Sequence, residues 1–196
     1  MSPTIYLSTF GSFGDVYPFL VLAKALIARG AAPVVFVNPA FSELFAAHGV
    51  EVHTVGEAID VEALLRDNPK YLHPRNGTRY AMEDLFAPFS ARTFAAATAL
   101  AETRPPSLCV SHHMGIGTAW LARTRRIPSA VVHLSPTSLL SCVDPPVFGP
   151  GRTPVWARRL ILRLALPMFD KMADRIFAGA AQAESVDPGA PDVTGM

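Results

Sequence analysis

Short apolar runs alternate with helical patterns at the start of this chain, and that alternation constrains its fold more than any other feature. The runs Ile5–Thr9, Pro33–Val37 and Glu51–Val55 predict strands. Apolar residues at helical spacing predict a first helix within Val16–Gly30, and cap signals predict a second within Asn38–Gly49. Strand–helix–strand units of this kind have right-handed crossovers and form a parallel sheet.

The same alternation resumes after a different middle section. Asp67–Thr78, rich in Asn, Pro, Gly and His, predicts an exposed loop, and Arg79–Thr103 predicts a helix that Pro88 kinks or breaks. Ser107–Val110 and Ala130–Leu134 then predict two further strands, with a helix between them. Five strand signals alternating with helices predict a doubly wound α/β domain.

The C-terminal part has a different pattern. A loop rich in proline and glycine, Pro145–Pro154, leads into an amphipathic helix predicted from Val155 to Phe177. Residues 181–196 have no periodicity and are rich in Gly, Pro, Asp and Ala, which predicts a disordered tail. We therefore expect one domain over residues 1–180.

The composition is that of one globular domain with a sizeable core, since 50% of the 196 residues are hydrophobic. The 17 basic and 16 acidic residues give a net charge of +1 without long runs of either sign, which argues against a nucleic-acid partner. Cys109 and Cys142 predict either two buried thiols or one disulfide, and their spacing does not indicate a metal site. A reducing cytoplasm is the simpler interpretation.

The sequence carries no signal for membrane insertion. Its N-terminus has neither a basic leader nor a small-residue cleavage site, and no apolar run reaches the ~18 residues of a membrane span. Arg159–Leu166 alternates apolar and basic residues, which leaves contact with a membrane surface open. We therefore expect a protein without a membrane span.

The loop Gly11-Ser12-Phe13-Gly14-Asp15 follows the first predicted strand and is the main candidate site. Ligands of open α/β sheets bind outside the carboxyl ends of the strands, at the switch point. Gly11 and Gly14 allow a tight turn and close approach to a ligand. Asp15, at the start of the next helix, is either a helix N-cap or a general base that takes the proton of a hydroxyl. Local sequence leaves both roles open.

A dinucleotide site, as in a nicotinamide-dependent oxidoreductase, is a weaker alternative. Its fingerprint needs three glycines, whereas Gly11 and Gly14 have no third. The second strand is followed by Asn38 and Pro39 rather than by an acidic residue. We therefore expect neither a bound dinucleotide nor another cofactor.

Three segments resemble the glycosyltransferases of the two-Rossmann-domain, or GT-B, architecture. They are TFGSFGDVYPFLVLAKALIARG, NPAFSELFAAHGVEVHTVG and VVHLSPTSLLSCVDPPVFGP. The resemblance covers residues 4–178 and includes rhamnolipid-type rhamnosyltransferases and macrolide, glycopeptide and sterol glycosyltransferases. The third segment is most similar to the rhamnosyltransferase chain that acts on β-hydroxy fatty-acid esters.

The resemblance implies the Rossmann-like, N-terminal, acceptor-binding half of an inverting glycosyltransferase. In such enzymes the aspartate of the Gly-x-x-Gly-Asp loop is taken as the base or a close participant, and that role falls on Asp15. The acceptor oxygen attacks the anomeric carbon of a hexose or deoxyhexose while the nucleoside diphosphate leaves, without a metal ion. The implied acceptor is a small hydrophobic compound with a hydroxyl group.

Asp15 is therefore the predicted catalytic residue. The predicted acceptor-binding residues lie on the first loop, in the aromatic middle section and after the fourth and fifth strands; they are Gly11, Ser12, Phe13, Tyr80, Phe86, His112, His113, His133 and Ser135. Core packing for the aromatic residues, and structural hydrogen bonds or turn capping for the others, stay open as alternatives. Because His112 and His113 are adjacent on a strand, their side chains are predicted to point to opposite sides.

The donor-binding domain of such enzymes has no counterpart in this sequence. A UDP- or TDP-sugar is therefore expected only with a second domain, and the chain alone is expected not to catalyse efficient transfer. A donor domain in trans, or a second copy of the chain, would cover the exposed interdomain surface. Three explanations stay open: a truncated or split enzyme, an excised domain, or a degenerate relative that only binds a small molecule or a partner.

Overall fold

The computed structural model describes residues 2–73, 76–135 and 154–183. Five parallel strands form its sheet: β1 (Thr4–Ser8), β2 (Ala32–Val37), β3 (Glu51–Thr54), β4 (Leu108–His112) and β5 (Ser129–Val132). Their order is β3-β2-β1-β4-β5, so the chain winds outward from β1 to one edge and then from β4 to the other. The predicted doubly wound, Rossmann-like α/β fold is confirmed.

Helices cover both faces of this sheet. They are α1 (Phe13–Ile27), α2 (Ser42–Ala46), α3 (Val61–Asp67), α4 (Gly77–Ala81), α5 (Ala87–Ala101), α6 (Gly117–Arg125) and α7 (Val155–Ala183). Phe19 of α1 belongs to the same buried cluster as Leu7 of β1. Phe94 of α5 and Trp120 of α6 belong to the cluster that contains Tyr6. Successive residues of β1 thus point into two cores, which explains why this strand is apolar on both faces.

The first two helices begin at local capping signals. Ser12 is the N-cap of α1, so this helix starts at Phe13, before the predicted start at Val16. Asn38 caps a 3₁₀ turn, Pro39–Phe41, and its Oδ1 accepts a hydrogen bond from the Ala40 N–H at 3.1 Å. The Asn-Pro start signal is confirmed, although the first turn that it begins is 3₁₀ rather than α-helical.

The middle section is more ordered than predicted. The expected loop Asp67–Thr78 contains a 3₁₀ turn, Pro69–Leu72, and the first residues of α4. Between α4 and α5, Met82–Phe86 forms a π-helical segment, in which the N–H of Ala87 donates to the carbonyl of Met82, five residues earlier. The helix therefore continues through Pro88, and the predicted break at this residue does not occur. The winding changes just before it, from π-helical in Met82–Phe86 to α-helical in α5.

α7 runs past the predicted end at Phe177 to Ala183 and packs against α5. Ala181, near its C-terminal end, is fully buried. Only the first three residues of the predicted tail, 181–196, are described, and they form the last turn of this helix. The predicted loop Pro145–Pro154 lies outside the described residues, apart from its last proline.

The structure also bears on the predictions about the two cysteines and about a membrane span. Cys109, on β4, is a buried free thiol. Cys142 lies outside the described residues, so its part in the cysteine prediction stays a prediction. None of the helices in the described part of the chain combines the length and apolar character that crossing a bilayer requires.

Candidate active site at the carboxyl edge of the sheet

The loop after β1 and the end of β4 meet at the carboxyl edge of the sheet. These strands are adjacent and parallel, with Ser8 opposite Ser111, so the residues that follow them lie side by side. Between them the chain reverses its direction of winding, which is where open α/β sheets bind ligands. The Gly11–Asp15 loop is therefore placed beside His112 and His113.

Gly11 closes tightly over Asp15. Its φ is +137°, a backbone conformation that L side chains rarely adopt. A Cβ atom at this position would also overlap the Asp15 carboxylate. Gly14 is different, because an added Cβ would have Ser12 Oγ as its nearest neighbour at 3.6 Å, an ordinary contact. Of the two glycines in the motif, only Gly11 is required by the turn.

One oxygen of the Asp15 carboxylate stabilises the start of α1. Asp15 Oδ2 accepts hydrogen bonds from the Ser12 backbone N–H at 2.9 Å and from Ser12 Oγ at 3.2 Å. Thr9 Oγ1 donates to the Asp15 carbonyl oxygen at 2.9 Å and ties the helix to the end of β1. The N-cap position belongs to Ser12, so the interpretation of Asp15 as the N-cap is wrong, although Asp15 does accept a backbone N–H.

The other oxygen of Asp15 faces a buried histidine. Asp15 Oδ1 lies 3.5 Å from His112 Nε2, and the Asp15 side chain is 32% exposed whereas His112 is 1% exposed. Burial lowers the pKa of His112 from 6.5 to about 4; His113 lowers it too, and Asp15 acts in the opposite direction. His112 is therefore neutral at pH 7, and its ring does not bring a full positive charge to Asp15.

Three imidazole rings form a row that leads away from Asp15. The centroids of His112 and His113 are 4.3 Å apart, edge to face, and those of His113 and His133 are 5.3 Å apart and nearly parallel. The prediction that His112 and His113 point to opposite sides is wrong, because His113 lies beyond the last residue of β4, where strand alternation ends. Burial, and then His133, lower the pKa of His113.

Buried hydroxyl groups fasten the loop after β4 to the sheet. Ser8 Oγ donates to the Gly115 carbonyl at 2.6 Å and lies 2.7 Å from Thr118 Oγ1. Ser111 Oγ lies 2.7 Å from the same threonine oxygen. This network joins β1, β4 and the first turn of α6, so the backbone on both sides of the Asp15–His112 contact is held in place.

An open cleft of about 210 Å³ lies on the opposite side of the loop, toward the ends of β2 and β3. Its walls are mainly apolar, and its lining residues are Gly11, Ser12, Phe13, Ala40, Phe41, Ile59, Asp60, Val61 and Glu62. Phe13 is half exposed and meets Phe41 edge-on, with 5.1 Å between the ring centroids. An apolar molecule that lies in this cleft has polar groups of the Gly11–Phe13 loop on one side and Asp60 and Glu62 on the other.

Asn38 holds Ile59, a residue that lines this cleft, in place. The residue is buried, and its Nδ2 donates to the Glu57 carbonyl at 2.7 Å while its Oδ1 accepts from the Ile59 N–H at 3.0 Å. Sequence patterns do not single out Ile59 and Val61, which lie in the cleft. Their signal is positional, because they follow β3 and so reach the same edge of the sheet as Gly11.

The other predicted acceptor residues have different surroundings. Phe86 meets Phe10 edge-on at 5.6 Å and therefore packs beneath the loop, next to the core. Tyr80 is half-buried on α4, with the Arg79 guanidinium 5.1 Å from its ring centroid. Ser135 follows β5 and is half-buried. Of these three predicted acceptor residues, Phe86 therefore packs under the Gly11–Asp15 loop and supports it.

The described residues include no candidate metal site. Within residues 2–73, 76–135 and 154–183, no three His, Cys, Asp or Glu side chains come together as metal ligands would.

Several solved glycosyltransferases have a similar arrangement of sheet and helices. The glycosyltransferase of kitacinnamycin superposes with a TM-score of 0.59 and 17% identity, over 97% of this chain and 42% of that one. SnogD from Streptomyces nogalater gives 0.58 and 18% over 95% and 42%, and VinC, solved with dTDP, gives 0.56 and 16% over 93% and 45%. The fold is similar to one Rossmann-like half of the GT-B architecture.

This chain spans less than half the length of these glycosyltransferases. No protein-family model matches the sequence, and no curated protein matches it either. At 16–18% identity the likeness concerns the fold.

Proposed function

We propose that this chain is the N-terminal, acceptor-binding half of an inverting glycosyltransferase and that Asp15 is its general base. The observation that carries the proposal is a partly exposed carboxylate at the switch point of the sheet, on the loop whose residues Gly11–Phe13 line an apolar cleft. Its orientation is restricted by Ser12 on one side and by Gly11 above it. The GT-B-type fold supports the same assignment.

The reaction follows from this placement. The apolar part of an acceptor occupies the cleft, and its hydroxyl group reaches the loop, where Asp15 accepts the hydroxyl proton. The acceptor oxygen forms a bond to the anomeric carbon of the sugar while the bond from that carbon to the diphosphate oxygen breaks. The electron pair of the broken bond leaves with the nucleoside diphosphate, and attack from the opposite side inverts the anomeric carbon.

His112 positions Asp15 in this scheme. In the tautomer with its proton on Nε2, the ring directs an N–H group toward Asp15 Oδ1, 3.5 Å away. Because burial keeps the pKa of His112 near 4, the ring stays neutral and orients the carboxylate without cancelling its negative charge. The predicted role of His112 as a direct acceptor contact is thus replaced by support of the base, since the ring is 1% exposed.

The sugar donor requires a second domain. The chain spans only 42–45% of the similar glycosyltransferases, one of which was solved with dTDP. We infer a UDP- or TDP-linked hexose or deoxyhexose as the donor, held by a domain in the same gene product or in trans. The resemblance of VVHLSPTSLLSCVDPPVFGP to rhamnosyltransferases favours a deoxyhexose and a lipid-like acceptor.

The proposal is tested by separating the two tasks of Asp15. Asp15→Asn keeps an oxygen that can accept the Ser12 N–H but cannot take a proton, whereas Asp15→Ala loses both. With a donor domain supplied, we expect transfer to fall by about 10²-fold or more in both variants. The free energy of unfolding should fall by about 1 kcal/mol in Asp15→Ala and change little in Asp15→Asn.

Asp67→Asn is the matched control, because Asp67 is an exposed carboxylate on α3, paired only with its neighbour Arg66 among the described ion pairs. It should leave both transfer and stability unchanged. A non-catalytic binding subunit gives the opposite pattern, with acceptor binding but no transfer under any donor domain.

Calorimetry on the isolated chain provides a second test. We expect saturable binding of a hydrophobic hydroxyl compound in the cleft and no saturable binding of UDP- or TDP-sugars. Tight nucleotide-sugar binding by this chain alone would contradict its assignment as the acceptor half.

A further inference from the structure

The first three turns of α7 present an apolar stripe to solvent. Trp156 is 70% exposed, Leu160 52% and Leu164 69%. Residues four apart lie on one side of an α-helix, so these three side chains form a continuous row. Such a row of large apolar side chains on a surface helix marks an interaction site.

Positive charge lines the same row. Arg159 and Arg163 are both exposed, and at 100° per residue they fall on the side of the helix next to Trp156. From residue 155 to 169 the helix contains three arginines and neither aspartate nor glutamate. The exposed surface of these turns is therefore both apolar and cationic.

The opposite side of the helix faces the domain. Arg158 and Leu162, roughly opposite this row at 100° per residue, are half-buried, and α7 packs against α5. The row Trp156–Leu160–Leu164 consequently points away from the core. It is exposed although the helix already packs on the domain through its other side.

We propose that this face of α7 docks on the surface of an anionic lipid bilayer. Trp and Leu side chains on one face, with Arg beside them, are the composition of helices that lie in the membrane interface. The indole and leucine side chains would enter the boundary between headgroups and acyl chains, and Arg159 and Arg163 would contact lipid phosphates. Arginine stems extend along apolar surface while their charged ends stay hydrated.

A second copy of this chain fits the face less well. A two-fold symmetric contact sets the same patch against itself. Arg159 and Arg163 would then approach the same arginines of the other copy, without an acidic residue on these turns to pair with them. An anionic surface has the charge that this patch lacks.

Tryptophan fluorescence tests the proposal directly on the 196-residue chain. Trp120 is 4% exposed, so changes in the environment of the indole report on Trp156. On addition of phosphatidylcholine vesicles that contain phosphatidylserine, we expect a blue shift of the emission and protection from acrylamide. Vesicles of phosphatidylcholine alone should produce much less of either effect.

Variants identify the contributions. Arg159→Gln with Arg163→Gln should weaken binding to the anionic vesicles by roughly 30-fold, about fivefold for each arginine. Leu160→Ser with Leu164→Ser should abolish the blue shift. The matched control is Lys24→Gln with Arg29→Gln on α1, which removes the same charge from exposed positions elsewhere and should leave binding unchanged.

Three results would overturn the proposal. They are equal binding to neutral and anionic vesicles, loss of binding in the α1 control as large as in the α7 variant, and a blue shift that depends on protein concentration without lipid. The last would show that a second copy covers the face. Circular dichroism of each variant confirms that the exposed substitutions leave the fold intact.

Discussion

At the scale of single residues, Gly11 and Asp15 restrict each other. The positive φ of Gly11 brings the backbone over the carboxylate, and the carboxylate fills the space where a Cβ would stand. The position of the Asp15 carboxylate thus depends on Gly11, which has no side chain.

Gly11→Ala should therefore damage both the fold and the site. A non-glycine residue at this φ costs roughly 1–3 kcal/mol, and the new Cβ forces the Asp15 side chain out of its contacts with Ser12. We expect a matching loss in the free energy of unfolding, measured in urea, together with a loss of transfer similar to that of Asp15→Ala. Gly14→Ala is the control, because its Cβ meets Ser12 Oγ at an ordinary 3.6 Å. Equal effects of the two substitutions would contradict this account.

His112 should make the stability of the domain depend on pH. Its pKa is about 4 when folded and close to 6.5 when unfolded. Between these values the unfolded chain binds a proton and the folded chain does not, so stability falls as pH drops from 6.5 toward 4. The loss is about 3 kcal/mol for this group.

Urea denaturation at a series of pH values between 7 and 4.5 measures this dependence. His112→Gln should flatten it, leaving the smaller contribution of His113, whose pKa is lowered in the same direction. His48→Gln, at an exposed position, should leave the pH dependence as it is. An unchanged slope in His112→Gln would show that the ring titrates normally in the folded chain.

The position of the site follows from sequence, but the arrangement of its side chains does not. A glycine-rich loop after the first strand is sufficient to locate Asp15 at the sheet edge. The role of His112 depends on which side of β4 its side chain faces and on how deeply it is buried. Two adjacent histidines in a sequence predict neither the direction nor the burial of either ring. The cleft residue Ile59 has only a positional signal, because it follows β3, and its placement depends on a hydrogen bond from its N–H to the side chain of Asn38, 21 residues earlier.

At the scale of elements, α5 and α6 make a close contact at Gly117. A Cβ on this residue would lie 2.5 Å from the Ser90 carbonyl oxygen and 2.6 Å from Thr93 Cβ. Backbone of α5 cannot move aside as a flexible side chain would, so α6 approaches α5 this closely only with glycine at its first position.

Gly117→Ala should consequently cost about 1–3 kcal/mol of unfolding free energy, the range for overpacked interiors. Gly179→Ala, in α7, has open space around it and should be neutral or slightly stabilising, because alanine favours the helix. Thermal unfolding of the two variants tests the contrast. Comparable stabilities would mean that α5 and α6 are packed less closely than described.

The strands were easier to predict than the helices of the middle section. Strands buried on both faces leave an uninterrupted apolar run, as Pro33–Val37 does, and the turn residues on either side delimit it. The π-helical segment Met82–Phe86 leaves no comparable trace, because its apolar and charged residues also fit an α-helix. The turn Pro69–Leu72 sits in a stretch whose Asn, Pro and His content is equally typical of a loop.

At the scale of the whole molecule, the sheet is a single packed layer between two cores, and Cys109 lies inside it on β4. Burial raises the pKa of its thiol to about 12. Its reaction with a thiol reagent therefore requires the sheet to open.

In a Cys142→Ser background, we expect Cys109 to react with Ellman's reagent at pH 8 only as fast as the domain unfolds, and at once in denaturant. Ser107→Cys, with both natural cysteines replaced by serine, places an exposed thiol just before the same strand and should react immediately. Fast labelling of native Cys109 would show that β4 opens locally, without global unfolding.

The π-helical segment Met82–Phe86 affects how this helix can tolerate the insertion or deletion of a residue during evolution. An α-helix turns by about 100° for each residue, so a single insertion rotates everything before it around the helix axis by that angle. Met82–Phe86 is wound as such an insertion would be. Deleting one residue here, for example Glu83, should let α4 and α5 join as one regular helix while Tyr80 keeps its direction, because the wide turn already absorbs the extra residue. The same deletion within α5 would instead rotate α4 by about 100° around the helix axis. The segment Met82–Phe86 is thus the place where this helix can lose one residue without changing the side that α4 presents.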